Sequence, residues 1–437
     1  MVRVGVRRPL TWVLPSLALA GLLAFAAVLA VDAASGPSLL VPGGHRAYPR
    51  WLAGPFGALG VGRRLDAHGI DLLLLGMLAG WLVALAGARA LPRRTVVVAV
   101  LAAHLVFLLA PPLLSADVFG YIGFARIGAV HHLDPYVYGT GWAPSDPVHP
   151  FLRWHNAHSA YGPLFTVLSY ALVPLGVAGA LWAFKAIACA ASLATVALVW
   201  RLQERRGRDP RAAAILVGLN PLLLAYEVAG GHNDALATLL AVAGIASVLS
   251  GREGRGMAGL VLAGAIKLTG ALAAPFALVA SGNRRQALLG AVAAAGSVVA
   301  IAVLAFGRGA PGSFSSVLTA GSGAATFSVP EVVAGALGLP AAGSAVRLAL
   351  LGGVLVCLAV FLRRARSGAD WIAGAGWTTL ALLCASTWLL PWYATWLTPL
   401  AALSSSRRLR LATVAFVAFV LCTRTGIIPG GPTPGTS

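Results

Sequence analysis

Residues 95–114 read TVVVAVLAAHLVFLLAPPLL, twenty positions without Asp, Glu, Arg or Lys, and the next seven read SADVFGY. A run of that length matches the roughly 20 residues an α-helix needs to cross a hydrocarbon core, and Asp117 follows three residues beyond its end. The pattern recurs along the chain, at about 72–88, 164–175, 177–200, 212–226, 235–250, 257–280, 286–306, 344–362, 371–390, 393–403 and 411–422. Of the 437 residues 59% are hydrophobic and 10% charged, where a soluble domain carries about 25% charge. That excludes a soluble protein. An all-α polytopic membrane protein follows, because backbone groups in lipid must be satisfied within helices or closed barrels. The apolar stretch from Thr11 to Val31 follows a basic start (Arg3, Arg7, Arg8). It exceeds the 7–15 residues of a signal-peptide core and reads as an uncleaved first helix.

The net charge is +19. In a soluble chain this would point to nucleic acid, but here the base-reading side chains would sit in lipid, so no nucleic-acid partner is expected. Membrane topology explains the charge instead. Arg clusters at 3/7/8, 89/93/94, 201/205/206/208/211, 252/255, 284/285, 363/364/366 and 407/408/410 define a cytoplasmic side by the positive-inside rule, with the N-terminus inside. For that path to close, 164–175 must lie as a re-entrant or interfacial hairpin, and 257–280 must go up and return with Lys267 near its turn. The expectation is about 11 transmembrane helices plus two short hairpins in a single domain, 1–437. The tail Thr423 to Ser437 ends outside, and no soluble C-terminal domain is expected. Asp32, Asp66, Asp71, Asp117, Asp134, Asp146, Glu227, Asp234 and Glu331 then fall on the outer side, with every His except His104.

No internal repeat or nucleotide-binding fingerprint is present. The four Cys lie in apolar segments and define neither a disulfide framework nor a thiol metal site. Ionisable chemistry is gathered at the outer face. Apolar residues at 118, 119, 122, 125 and 129 make 116–129 an amphipathic helix lying on the membrane, with Asp117 in its first turn, where the helix dipole favours a carboxylate. Asp117 reads either as a cap or as a general base meeting a lipid-borne substrate, a role worth roughly 10²–10⁴ in rate. When the leaving group is a phosphate, one carboxylate is enough. Arg126 lies nine residues on. His131, His132, His149, His155 and His158 have neither helical nor knuckle metal spacing. Asp134-Pro135-Tyr136 marks a turn, and Tyr136, Tyr138, Trp142 and Trp154 read as sugar-stacking or interfacial aromatics.

The second constellation is Asn220-Pro221, Tyr226-Glu227 and Gly230-Gly231-His232-Asn233-Asp234. Asp234 is placed to cap the helix that follows, but a His and an Asn beside it favour substrate contact. Lys267 is the third. A Lys at bilayer depth costs about 2.5–3.5 kcal/mol on insertion scales, and only two of the 32 basic residues are Lys. A compact charge for a lipid phosphate is the reading here. Lys185 either does the same or snorkels. Pro391-Trp392-Tyr393-Ala394-Thr395-Trp396 is an outer-face aromatic turn, anchoring or walling a sugar pocket.

These residues resemble the GT-C superfamily of membrane glycosyltransferases, most closely the actinobacterial polyprenyl-phosphate-mannose-dependent α-1,6-mannosyltransferases. The resemblance rests on Ser115-Ala116-Asp117-Val118 with Tyr121, Leu133-Asp134-Pro135-Tyr136, Tyr161-Gly162-Pro163, Asn220-Pro221 with Gly231-His232-Asn233-Asp234-Ala235, Lys267 before Pro275-Phe276, and Pro391-Trp392-Tyr393. It implies a GT-C-like fold and an inverting plasma-membrane enzyme. The enzyme would move a hexose, most simply mannose, from a polyprenyl-phosphate donor to an envelope glycolipid or glycan on the extracytoplasmic face. Asp117 matches the catalytic base in the outer loop 115–163. Many such families carry two adjacent acids there, often with a divalent metal. Here the neighbours are Ala116 and Val118, so no metal or other cofactor is expected. Lys267, His232, Asn233, Asp234, Asp134, Tyr136, Arg126, Tyr161, Glu227, Trp392 and Tyr393 are the expected substrate contacts. The rival readings are a lipid-linked-sugar flippase, whose hallmark would be inverted repeats around a midplane site, and a non-catalytic scaffold of an envelope-synthesis complex.

Overall fold

The computed structural model describes residues 11–42, 48–59, 64–319, 327–338 and 343–425. The basic start Arg3, Arg7 and Arg8 lies outside them, as do residues 426–437 of the expected outer tail. Every regular element among the described residues is helical: α1 (Val13–Ala34), α2 (Arg50–Ala53), α3 (Ala67–Ala86), α4 (Arg93–Leu109), α5 (Asp117–Ala129), α6 (Pro163–Tyr170), α7 (Gly176–Arg205), α8 (Arg211–Gly218), α9 (Asp234–Leu249) and α10 (Glu253–Ile266). They continue with α11 (Ala274–Ala280), α12 (Arg284–Phe306), α13 (Ala310–Thr319), α14 (Val329–Ala336), α15 (Ser344–Arg366), α16 (Trp371–Ala385), α17 (Leu397–Leu403) and α18 (Arg407–Cys422). Among the described residues five helical stretches are long and apolar enough to cross a membrane: Val13–Ala34, Ala67–Ala86, Val173–Arg205, Arg284–Ser315 and Ala345–Arg366. None of the most apolar window of Ala345–Arg366 is covered by protein, and Leu304 on α12 is 88% exposed. Helices apolar on their outer surface need lipid around them. The chain is a helical membrane protein.

Several buried polar groups bridge neighbouring helices, as a dry interior favours. His104 of α4 bonds Ser192 of α7 at 2.8 Å, and the Trp81 indole of α3 donates to the Ile215 carbonyl of α8 at 2.9 Å. Lys185 is fully buried in α7. Its ammonium donates to the carbonyls of Phe107 (2.9 Å), Pro111 (3.4 Å) and Ala229 (2.5 Å). It neither snorkels nor faces an open site. It closes the last carbonyls of α4 and ties them to the turn before α9.

Two elements differ from the sequence reading. The α5 helix does not lie on a membrane surface: Val118, Phe119, Tyr121, Ile122, Phe124, Ala125 and Ile127 are all buried, so protein covers it nearly all round. Gly123 lets Thr140 and Leu152 pack directly on the helix, an approach that hydropathy does not register. In addition, α13 and α14 occupy the Gly- and Ser-rich region between two apolar runs, where hydropathy gives little signal. Glu253 at the start of α10 neighbours Gly282 after α11, and Gly254 packs directly on Gly290 of α12. Lys267 has extended backbone angles (φ −150°, ψ 127°), which stop α10 and start a short 3-10 turn, Leu268–Ala271.

Candidate active site

Four chain segments meet around the α5 N-terminus. Ala116 holds the N-cap position without a side-chain cap, while the Ser115 hydroxyl accepts from the Asp117 N–H at 3.2 Å. The Asp117 carboxylate is therefore not consumed in capping. It lies 3.7 Å from His232 Nδ1 and keeps 23% of its side chain open. Burial pushes its pKa up to about 6, with Lys267 opposing, Asp234 adding and Arg153 opposing. A carboxylate poised near neutrality suits proton abstraction better than an ordinary one.

His232 arrives on a tight turn. Asn220 accepts the Leu222 N–H at 2.9 Å, Pro221 follows, and Leu223–Val228 forms a π-helix, a rare element frequent at functional sites. Gly231 then adopts φ +67°, and a β-carbon there would press on the Lys185 side chain, so both backbone and space ask for glycine. The His232 ring packs against Trp392 with centroids 4.1 Å apart and planes tilted by 36°. Its Nδ1 is 3.4 Å from the Tyr121 hydroxyl and 3.8 Å from Asp234. Burial and then the Lys267 charge hold its pKa well below the usual range, so the imidazole is neutral. Asn233 takes the Tyr121 hydroxyl hydrogen at 3.2 Å. His232 Nε2, Asn233 Nδ2, Glu227 Oε2 and Trp392 Nε1 are buried with no hydrogen-bond partner among the described residues. So many orphaned polar atoms in one place mark a site that expects a polar ligand.

Asp234 is fully buried and does not cap α9. Lys267 Nζ lies 2.8 Å from each of its oxygens, and Trp396 Nε1 donates to it at 2.7 Å. The ammonium sits 5.0 Å above the Tyr393 ring and 5.4 Å above the Trp396 ring, which stack on each other at 4.2 Å. Lys267 is thus a paired, aromatic-caged cation rather than the free one expected, and 16% of its side chain remains open. Tyr161 packs edge-on against Tyr121 at 4.7 Å. Gly162 donates to the Ile266 carbonyl at 3.1 Å, so close that a β-carbon on Gly162 would collide with the Ala265 carbonyl. Glu227 is buried beside Asp234 and Thr395, and the Thr395 hydroxyl donates to the Trp392 carbonyl at 2.6 Å.

The structure therefore brings together Asp117, Tyr161, Glu227, His232, Asn233, Asp234, Lys267, Trp392 and Tyr393. Three expected contacts are engaged elsewhere. Arg126 donates from Nε to both oxygens of Asp146, at 2.8 and 3.0 Å. That pair, with the Val148 N–H and His131, holds the Asp146 pKa below the usual range despite its burial. Tyr136 is buried, donating to the Tyr161 carbonyl and meeting Thr166, both at 2.8 Å. Asp134 caps its own turn through the Tyr136 N–H at 2.9 Å and packs against Gly309. These three shape the loop that brings Tyr161 in. Sequence reasoning placed Trp396 in the aromatic turn but assigned no contact role to Tyr121 or Arg153. Tyr121 lies four residues from Asp117 on one helix face, a spacing that would have found it. Nothing in sequence joins Arg153 to Asp117.

Ala116 and Val118 supply no second acid, both Asp234 oxygens are engaged, and no group of three or more His, Cys, Asp or Glu among the described residues is placed to hold a metal ion.

Among known proteins, the chain is 28% identical over 342 residues to alpha-(1->6)-mannopyranosyltransferase A of Mycobacterium tuberculosis, covering 70% of this chain and 65% of that one. It is 29% identical over 179 residues to alpha-(1->6)-mannopyranosyltransferase A of Corynebacterium glutamicum, covering 38% and 35%. The chain thus spans less than two thirds of the length of these curated relatives. No solved structure matches. Residues 19–283, more than half of the chain, match the family described as alpha-(1->6)-mannopyranosyltransferase, N-terminal domain; the segment ends 49 residues past Asp234 and contains Asp117, His232 and Lys267, and the chain belongs to that family.

Proposed function

We propose that this protein is a multi-pass, GT-C-like inverting mannosyltransferase whose site opens on the extracytoplasmic side. The donor is a polyprenyl-phosphate mannose and the acceptor an envelope glycolipid or glycan. The fold reading behind it is about eleven crossings with re-entrant segments at 164–175 and 257–280, the Arg-rich loops facing the cytoplasm. Asp117 takes the proton of an acceptor hydroxyl. The acceptor oxygen then attacks the anomeric carbon from the face opposite the phosphate, the bond from that carbon to the phosphate oxygen breaks, and polyprenyl phosphate leaves with the electron pair. Lys267 has three N–H donors, and those not spent on Asp234 meet the departing phosphate. Trp392 and Tyr393 wall the sugar, and His232 and Asn233 bond its hydroxyls.

The observation that supports this reading best is the Asp117 carboxylate. It is uncapped, partly open, raised to about 6 and surrounded by orphaned polar atoms. Membranes carrying Asp117→Ala should transfer labelled mannose from the donor roughly 10²–10⁴-fold more slowly than wild type. Transfer at the wild-type rate would remove Asp117 from the chemistry. In proteoliposomes, labelled lipid crossing the bilayer with no glycosidic bond formed would replace the transferase with a flippase.

A further inference from the structure

At the other end of the helices that carry the site, α4 and α7 part to leave a groove of about 470 Å³ floored by Val97, Val100, Leu101, Leu193, Ala197 and Trp200. This lies within the roughly 300–1,000 Å³ typical of ligand sites, and its lining is almost wholly aliphatic. Val97 and Leu101 are open to the outside, so a chain can enter sideways from lipid. One end is basic. Arg201 lines the groove itself and is exposed, and Arg93 lies 5.9 Å over the Trp200 ring. Arg94 begins α4 beside it, and Arg205 closes α7. Two acids stand by these groups, Glu204 at 2.8 Å from Arg93 and Asp209, which feels the Arg93 charge; against Arg93, Arg94, Arg201 and Arg205 they leave the rim net positive. From Val97 to Phe107, where Lys185 anchors the site, α4 climbs about 15 Å, so groove and site are separate.

An apolar slot one chain wide with arginines at a single end complements one kind of molecule, and we infer that this groove binds an anionic phospholipid. One acyl chain lies along the α4–α7 seam and the phosphate rests on Arg201 and Arg93. Basic pockets between helices on the positive side of a membrane protein are where anionic headgroups collect. The inference does not depend on the transferase reading.

The test is native mass spectrometry of the full chain, titrated with phosphatidylglycerol or with phosphatidylcholine of the same acyl chains. One phosphatidylglycerol per chain should bind at least about fivefold more tightly than phosphatidylcholine, the worth of one arginine near an anionic lipid. Arg201→Ala should erase the preference and Arg201→Lys should keep it. Ala197→Trp, which fills the slot and leaves both arginines, should also abolish tight binding. Equal affinity for the two lipids in wild type overturns the inference, as does an undiminished preference in Arg201→Ala. So does tight binding that survives Ala197→Trp, because the rim would then be a surface charge cluster. Binding should persist in millimolar inorganic phosphate; displacement of the lipid by phosphate alone would assign the rim to a free anion and overturn the lipid.

Discussion

Asp117 carries two expectations with opposite signs. Its folded pKa of about 6 exceeds the ordinary 3.8, so the folded state binds the proton more tightly than the unfolded chain. Stability from that proton is present below about pH 4 and is lost as pH rises through 6. Asp117→Asn should therefore melt higher than wild type at pH 7.5, by about 1–3 kcal/mol, while transferring no mannose. A variant that melts lower at pH 7.5 would show the carboxylate to be stabilising rather than poised. Activity runs the other way, because a base works only when ionised. The rate at low substrate should fall below about pH 6 with a slope of one proton. Lys267→Met, which removes the largest opposing charge, should move that limb to higher pH, and Asp234→Asn should move it lower. A limb that stays put in both variants would assign it to another group. At this scale the sequence named the acids, the histidine and Lys267. It did not show that Lys267 and Asp234 are partners, because a contact across 33 residues leaves no local signature.

Elements matter here for how closely they approach. The Tyr161–Gly162 turn bonds the end of α10 at a distance that only glycine permits, so Gly162→Ala must push α6 away from Lys267. Overpacking of this kind costs about 1–3 kcal/mol, and activity should fall more than the melting temperature does, because Tyr161 moves with the turn. Lys185→Met strands three carbonyls in a dry interior, at roughly 1–3 kcal/mol for each left unpaired. It should lower the melting temperature measurably, which a snorkelling lysine would not. The apolar runs forecast the helices well: 235–250 became Asp234–Leu249, and 286–306 became Arg284–Phe306. Runs interrupted by Pro or Gly were less legible. The run 212–226 breaks at Asn220-Pro221 into α8 and a π-helix, because hydropathy registers burial and not which carbonyl each N–H finds.

For the whole molecule, the distribution of Arg makes a prediction about sidedness. In intact cells a membrane-impermeant maleimide should label a cysteine placed at His158 and spare ones placed at Arg208 or Arg255; the reverse pattern would invert the proposed orientation. The net charge of +19 and the lipid-facing surface of α15 were legible from composition. The assembly of the site from residues as far apart as Asp117 and Trp396 was not. That separation bears on biosynthesis. Asp117, His232, Asp234 and Lys267 all emerge by residue 267, but Trp392 and Trp396, which pack against His232 and hold Asp234, belong to the last tenth or so of the described chain. A chain made only as far as Lys267 carries an acid–lysine pair with one wall missing. More than a hundred further residues separate Lys267 from Trp392 and Trp396, so the nascent protein remains idle until that stretch has been made and inserted.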